Sequence, residues 1–449
     1  VTKLDELHII YHINKTNAAV IVDGNVMVRA APQLSYKDFC KYISDQVKGF
    51  FTSAKHVIVV FDEPSAMTVA KKEEQAHRDA KRKKREIVTS EDVLHLPQTD
   101  AYNEADIKDC PNIHDLIENR PTRIRLMDMV FCDIMKEARR VKSQQLAMLG
   151  MAMTSLTFDG IDPRGDSRGH HEPRMPGIIS TEDKMQEVLH REKPIGEGDL
   201  KLVAVERAIE HHRWKEGSPV ASVRMVITHT IDTDSLMINL IAEAERDSRG
   251  VKDLISLPCL REPGRKRKNE NHFTPSHYQV VDMAKFYAAV MLMFFKEDSS
   301  EVRKLGREAV ALLAMATAAC GCDFTGKSQI EGLRANEMFC TLPFVVNDNP
   351  TILPSMRGAW SGDIKQTRKT RRVLQTVLNA YGRTMGTGTI PVPLMLSSEC
   401  YQGSVSTIRQ KYALDIQSPS EEGLLRAAWV CAYWHQCEFK ELSQFGFPY

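Results

Sequence analysis

The ten cysteines of this chain never take the Cys-x-x-Cys spacing. That absence argues against a structural zinc site, whose paired thiolates need it. Charge of one sign is not in excess: 60 Lys and Arg balance 59 Asp and Glu, for a net charge of +1. Overall charge therefore gives no pointer to nucleic acid, and only local clusters can. Long apolar runs are missing too. The most apolar stretch, residues 286–295 (FYAAVMLMFF), and the milder stretch 309–322 both fall short of the roughly 20 residues that cross a bilayer. No membrane partner is expected. Gly and Pro, 24 and 20 of 449 residues, are too few for collagen or a low-complexity chain. The start shows no secretory pattern, and scattered thiols suit a reducing compartment. The expectation is an intracellular chain, nuclear or cytoplasmic, cellular or virus-encoded, and not secreted. At about 150 residues per domain the length allows two or three domains.

Three short apolar, β-branched runs are present: residues 18–22 (AAVIV), 56–61 (HVIVVF) and 225–231 (MVITHTI). Uninterrupted runs of this length bounded by turn residues predict strands buried on both faces of a parallel sheet. Each run stops at an aspartate: Asp23, Asp62 and Asp232. An aspartate can simply open a turn. In open α/β sheets, however, the carboxyl ends of the strands are where ligands bind. Helical periodicity predicts helices over 36–51, 121–150 (one or two), an amphipathic 199–213, 281–295, 299–320 and 421–436. Residues 160–177 read as a polar exposed loop rich in Gly, Pro and Arg. Trp429, Tyr433 and Trp434 share a helical spacing that predicts core packing, and His211-His212 reads as a surface pair.

Seven acids stand at element ends or in tight pairs: Asp23, Asp62, Glu197, Asp199, Asp232, Asp234 and Asp323. Brought together, so many like charges stay ionised only around cations. Oxygen ligands without a Cys or His set select Mg²⁺ or Mn²⁺, and two such ions serve in-line displacement at phosphorus. Singly, each acid has a plainer role, such as capping the helix that follows.

The ordered set resembles the flap endonuclease/XPG superfamily of 5′ nucleases. The matching pieces are VIVDGN, VIVVFDEP, GEGD, TIDTDSL and ACGCDFTG, in the family's order, over residues 18–330. Some pieces resemble XRN-type 5′→3′ exoribonucleases instead: GEGDLKL, and the late stretch GLLRAAWVCAYWHQC with FGFPY. The chain departs from the first family in reading Phe-Asp-Glu-Pro where Phe-Asp-Gly is usual. It also has a single glycine in 330–333 (IEGL), where the family carries a Gly-x-Gly hairpin on duplex backbone.

The resemblance implies an α/β fold: a PIN-like 5′-nuclease core over 1–340 whose central, mostly parallel sheet is flanked by helices. It implies a helical arch over about 63–150, leaves a polar insertion at about 160–190 unexplained, and leaves 341–449 as a mainly helical region packed on the core. By resemblance, Asp62, Glu197 and Asp199 hold one ion, Asp232, Asp234 and Asp323 the other, and Asp23 acts through water. The implied activity is two-metal hydrolysis of DNA flaps or 5′ ends. An XRN-like or host-shutoff-like ribonuclease acting on RNA, and a catalytically silent nucleic-acid-binding subunit of the same fold, remain as alternatives.

Residues 71–85 hold eight bases against three acids. By resemblance this is the arch. Lys71 and Arg78 lie seven apart on one helix face, where they would meet the scissile phosphate. Lys72 competes with Lys71 for that role, and Lys81, Arg82, Lys83 and Lys84 would bind backbone. Two further clusters, 265–268 with Arg265 and Lys266, and 365–372 with Arg368 and Lys369, are candidate phosphate contacts or solvated surface. The C-terminal region lacks a sliding-clamp motif.

Overall fold

The computed structural model describes residues 2–3, 17–51, 54–61, 102–113, parts of 116–138, 145–149, 178–180, 183–189, 198–230, 233–261, 278–295, 304–322, most of 342–360, 365–376 apart from 367, and parts of 427–435. Within them lie strands β1 (Thr2–Lys3), β2 (Ala18–Asp23), β3 (His56–Val60), β4 (Gln145–Leu149), β5 (Ile178–Ser180), β6 (Met225–His229), β7 (Ile255–Arg261) and β8 (Tyr278–Val280). The principal helices are α1 (Gly24–Ala30), α2 (Tyr36–Phe50), α3 (Glu104–Asp109), α4 (Asp183–Leu189), α5 (Gly198–His212), α6 (Thr233–Ser248), α7 (Met283–Phe294), α8 (Gly306–Ala319) and α9 (Ile352–Ser355).

The strands form one sheet in the order β1-β8-β7-β6-β2-β3-β4-β5. The five strands from β7 to β4 are parallel, and β1, β8 and β5 add antiparallel edges. The fold is thus α/β with a mostly parallel sheet. Numbered along the chain, the parallel strands run 3-2-1-4-5. Connections travel one way from β2 through β3 to β4, then the other way through β6 to β7. That reversal makes the gap between β2 and β6 a topological switch point, the place where such sheets bind ligands.

The central strands have no wet face. Ala18, Val20 and Val22 of β2 pack with Val57, Val59 and with Phe39, Ile43 and Val47 of α2. The alternate residues Ala19, Ile21, Ile58 and Val60 pack with Leu202, Val205 and Ile209 of α5 and Met185 and Val188 of α4. Each such Val or Ile contributes about 1.5–3 kcal/mol relative to exposure. A slip of one residue would exchange the two faces and draw Asp23 into the core, so the register is fixed. Asp23 pairs with Val60 of β3, and Val22 with His229 of β6.

Two expectations are corrected, on 121–150 and on α5, and one stretch left open gains structure. The span 121–150 is not all helix: helical residues occur among 122–138, but Gln145–Leu149 is strand β4 beside β3. Its Leu, Ala and Met favour helix intrinsically, and pairing with a buried strand overrides that preference. Inside the polar stretch 160–190, Ile178–Ser180 adds strand β5 and Asp183–Leu189 is helical. Helix α5 is not simply amphipathic: Leu200 through Glu206, Ile209 and Glu210 are all buried.

The chain divides into two compact units: residues 1–67, 97–239 and 252–284, which hold the sheet, and residues 68–96, 240–251 and 285–449. In the second, α8 is buried almost throughout, with Ala309 to Ala316 at 0% exposure. Around it, the Cys431 thiol donates to the Ala311 carbonyl at 3.2 Å and Trp434 is fully buried. Arg307 reaches Glu245 at 3.5 Å and stacks 4.1 Å over Trp360.

Glycine 24 follows the first aspartate because the backbone there must meet an aromatic ring. A Cβ on Gly24 would lie 2.2 Å from two ring carbons of Phe61, itself fully buried. Gly24→Ala is therefore expected to cost at least about 1–3 kcal/mol. Gly49→Ala, with nothing within 4 Å of the new carbon, should be neutral or stabilising by up to about 1 kcal/mol because α2 gains a better helix former. Urea unfolding checks both. A Gly24→Ala midpoint equal to the parent's would contradict the packing described.

Candidate active site at the carboxyl edge of the sheet

Asp23 ends β2 and caps α1. Its backbone is extended, and its Oδ1 accepts from the Asn25 N–H at 2.9 Å. The cap holds the half-buried carboxylate at the carboxyl edge, one strand from the end of β6.

Asp199 lies in the first turn of α5 and Asp234 in the first turn of α6. A hydroxyl chain joins these helix starts to β6. Ser235 Oγ donates to Asp199 Oδ1 at 2.5 Å, and Thr230 Oγ1 stands 3.1 Å from Ser235 Oγ. Ser235 has one hydroxyl proton, and it goes to the carboxylate, so Thr230 donates to Ser235. Both hydroxyl residues are fully buried. The chain fixes Asp199 against the residue next to Asp234, one step past the end of β6.

Lys201, two residues after Asp199, is only 3% exposed. Its Nζ donates to the Phe61 carbonyl at 2.7 Å, across 140 residues of sequence. Phe61 precedes Asp62, so this bond ties the end of β3 to the start of α5. A buried ammonium also brings positive charge to an edge rich in carboxylates, where it lowers their mutual repulsion.

His229, the last residue of β6, is 1% exposed and meets Phe50 edge-on at 5.3 Å between centroids. Burial lowers its pKa from 6.5 to about 3, against a smaller opposing backbone hydrogen bond. The imidazole is neutral at pH 7.

The structure brings Asp23, Asp199 and Asp234 to the same edge of the sheet. Among the described residues no group of three or more His, Cys, Asp or Glu has metal-holding geometry. Asp62, Glu197, Asp232 and Asp323 lie outside the described residues, as do Lys71, Lys72, Arg78, Lys81, Arg82, Lys83, Lys84, Arg265 and Lys266. Arg368 and Lys369 are exposed on a helical segment of the second unit. Among the described residues no helix is long and apolar enough to cross a membrane.

Sequence reasoning missed Ser235, Thr230, Lys201 and His229. One signal was there to use: the lysine in DLKLVAV interrupts an apolar helix, and a lysine is almost never buried unless paired. The serine after an aspartate carries no such mark.

The depressed pKa of His229 gives stability a defined pH dependence. Above pH 6.5 the imidazole is neutral folded and unfolded. Below it the unfolded chain takes up a proton that the folded chain refuses until about pH 3. Stability is lost across that window by up to about 1.4 kcal/mol per pH unit. In urea unfolding at pH 7, 6 and 5, the difference between wild type and His229→Gln should shrink at about that slope below pH 6.5. Parallel stability curves would contradict a neutral, buried His229.

No protein-family model and no curated protein sequence matches the chain.

Proposed function

We propose that this chain is a divalent-metal-dependent 5′ nuclease with a PIN-like core, hydrolysing phosphodiesters in nucleic acid with a flap or a 5′ end. One observation carries the reading. The hydroxyl chain Thr230–Ser235–Asp199 gathers two acid-bearing helix starts at the end of β6, one strand from Asp23, where the sheet changes direction. Such a place suits a phosphate ligand, and acids there call for cations.

The donor chemistry fits Mg²⁺ or Mn²⁺: every candidate ligand is a carboxylate oxygen. On this reading Asp62, Glu197 and Asp199 hold one ion, Asp232, Asp234 and Asp323 hold the other, and Asp23 acts through water. Asp62 and Asp232 follow β3 and β6 by two and three residues. The ions, when bound, supply charge neutralisation at the phosphate and activation of water. The chain's own groups do the rest. Ser235 orients the Asp199 carboxylate, Lys201 joins the β3 end to α5, and the Gly24–Phe61 contact sets the level of Asp23. Lys71 and Arg78 are the proposed cations for charge developing on the phosphate, and the bases at 81–84 and 265–266 the proposed backbone contacts.

Purified protein with Mg²⁺ should cleave at least one of matched 5′-flap DNA, single-stranded DNA and 5′-phosphorylated RNA. EDTA should abolish cleavage, and Mn²⁺ should restore it. Asp234→Asn should lower the rate at least about 100-fold, since changes merely behind the ligands already cost 10–100-fold. Its metal-free melting temperature should hold or rise, because one repelling charge is gone. Cleavage undiminished in EDTA, or an Asp234→Asn variant near the wild-type rate, removes the two-metal reading. Nucleic-acid binding without cleavage of any substrate leaves a catalytically silent protein of this fold.

A further inference from the structure

The second unit carries a basic helical surface that the site chemistry does not use. Residues 365–376 (KQTRKTRRVLQT) hold five bases and no acid. Apart from residue 367, all of them are helical. Side-chain bonds back to carbonyls four residues earlier, from Thr370 to Gln366 at 2.8 Å and from Thr376 to Arg372 at 3.0 Å, follow the helical turn. Gln366 Nε2 donates to the Arg357 carbonyl at 2.8 Å, which anchors the segment to the turn at 356–360.

The burial pattern divides this helix cleanly. Thr370 and Leu374 are fully buried and Val373 nearly so, whereas Lys365, Arg368, Lys369 and Arg372 are exposed. Positions i, i+3, i+4 and i+7 share one helix face, so these four cations form a single stripe opposite the buried one. At 1.5 Å per residue the stripe is about 10 Å long, enough to meet about three phosphates at 3.4 Å axial spacing.

We propose that this stripe is a sequence-independent binding surface for the sugar–phosphate backbone of nucleic acid. The proposal rests on the nuclease reading and adds to it a binding site separate from the carboxylates. Five bases without an acid in twelve residues, with Arg368, Lys369 and Arg372 exposed, suit a polyanion as partner. A membrane-surface helix would expose an apolar flank, but here the apolar residues Val373 and Leu374 face the protein interior. A protein partner would want an apolar or aromatic centre, and the stripe has none. Nor does it offer an aromatic platform for bases, so it grips backbone without reading sequence.

The test uses the full chain with Asp234→Asn in EDTA, so that no cleavage intervenes, and fluorescently labelled 20-nucleotide single-stranded DNA and RNA of one sequence. Binding is followed by anisotropy across a salt series. The triple variant Arg368→Gln, Lys369→Gln, Arg372→Gln should lower affinity on the order of 10- to 100-fold near 0.1 M salt and reduce the slope of log K against log salt by about 2. Single variants Arg368→Gln and Arg372→Gln, which put less at risk in folding, should each reduce it by about 0.7. A control triple on exposed lysines of the first unit (Lys37→Gln, Lys41→Gln, Lys252→Gln) should leave the slope unchanged. An unchanged slope in the stripe variants, or an equal loss in the control, overturns the proposal. So does loss of binding to phosphatidylserine vesicles with nucleic-acid binding intact, which would make the stripe a membrane surface. If wild type cleaves nothing with Mg²⁺ while the stripe variants still lose slope, the nuclease reading fails and the binding surface stands.

Discussion

Strands β2, β3 and β6 are enclosed on both sides, and that enclosure decides where chemistry can happen. From Ala18 to Val22 no side chain is more than 2% exposed. Polar groups are expensive along such strands. They are tolerated at the ends, and because five strands are parallel, their carboxyl ends share one edge. Helices α1, α5 and α6 start from that edge, with Asp23 as a cap and Asp199 and Asp234 in first turns. Their amino ends carry partial positive charge, which offsets some of the repulsion among carboxylates.

The remaining repulsion is met by fixed partners. Lys201 supplies a buried ammonium, Ser235 a hydroxyl donor, and Thr230 a donor to that hydroxyl. His229 closes β6 as a neutral ring rather than as another charge. Gly24 lets the Phe61 ring lie against the backbone next to Asp23. The Lys201–Phe61, Ser235–Asp199 and Gly24–Phe61 contacts join strand and helix ends that are far apart in sequence. A nuclease reading explains why an edge with this charge would be assembled at the point where the sheet changes direction.

The sheet was legible where residues were intrinsically suited to it. The runs at 18–22, 56–61 and 225–231 combine β-branched residues with turn signals, and they became the three central strands. Helices α2, α7 and α8 were legible from apolar periodicity. Strand β4 was not, because Leu, Ala and Met state no preference for a strand and only the neighbouring β3 supplies one. The antiparallel strands β5 and β8, each three residues long, are too short to show a period. For the candidate site, Asp23, Asp199 and Asp234 were visible through their place at strand and helix ends. The residues that hold them were not. A hydrogen bond from Lys201 to a carbonyl 140 positions away leaves no local trace, and Ser235 looks like any serine early in a helix.

The central claim is that carboxylates at this edge form a divalent-cation site. Electron paramagnetic resonance of a Mn²⁺ titration tests it most directly, because the signal reports bound ions whatever the substrate. The account predicts saturable binding of a magnetically coupled pair of Mn²⁺ ions per chain, displaced by Mg²⁺ and lost when Asp199 is replaced by Asn. Absence of saturable Mn²⁺ binding, or binding indifferent to Asp199→Asn, would contradict it.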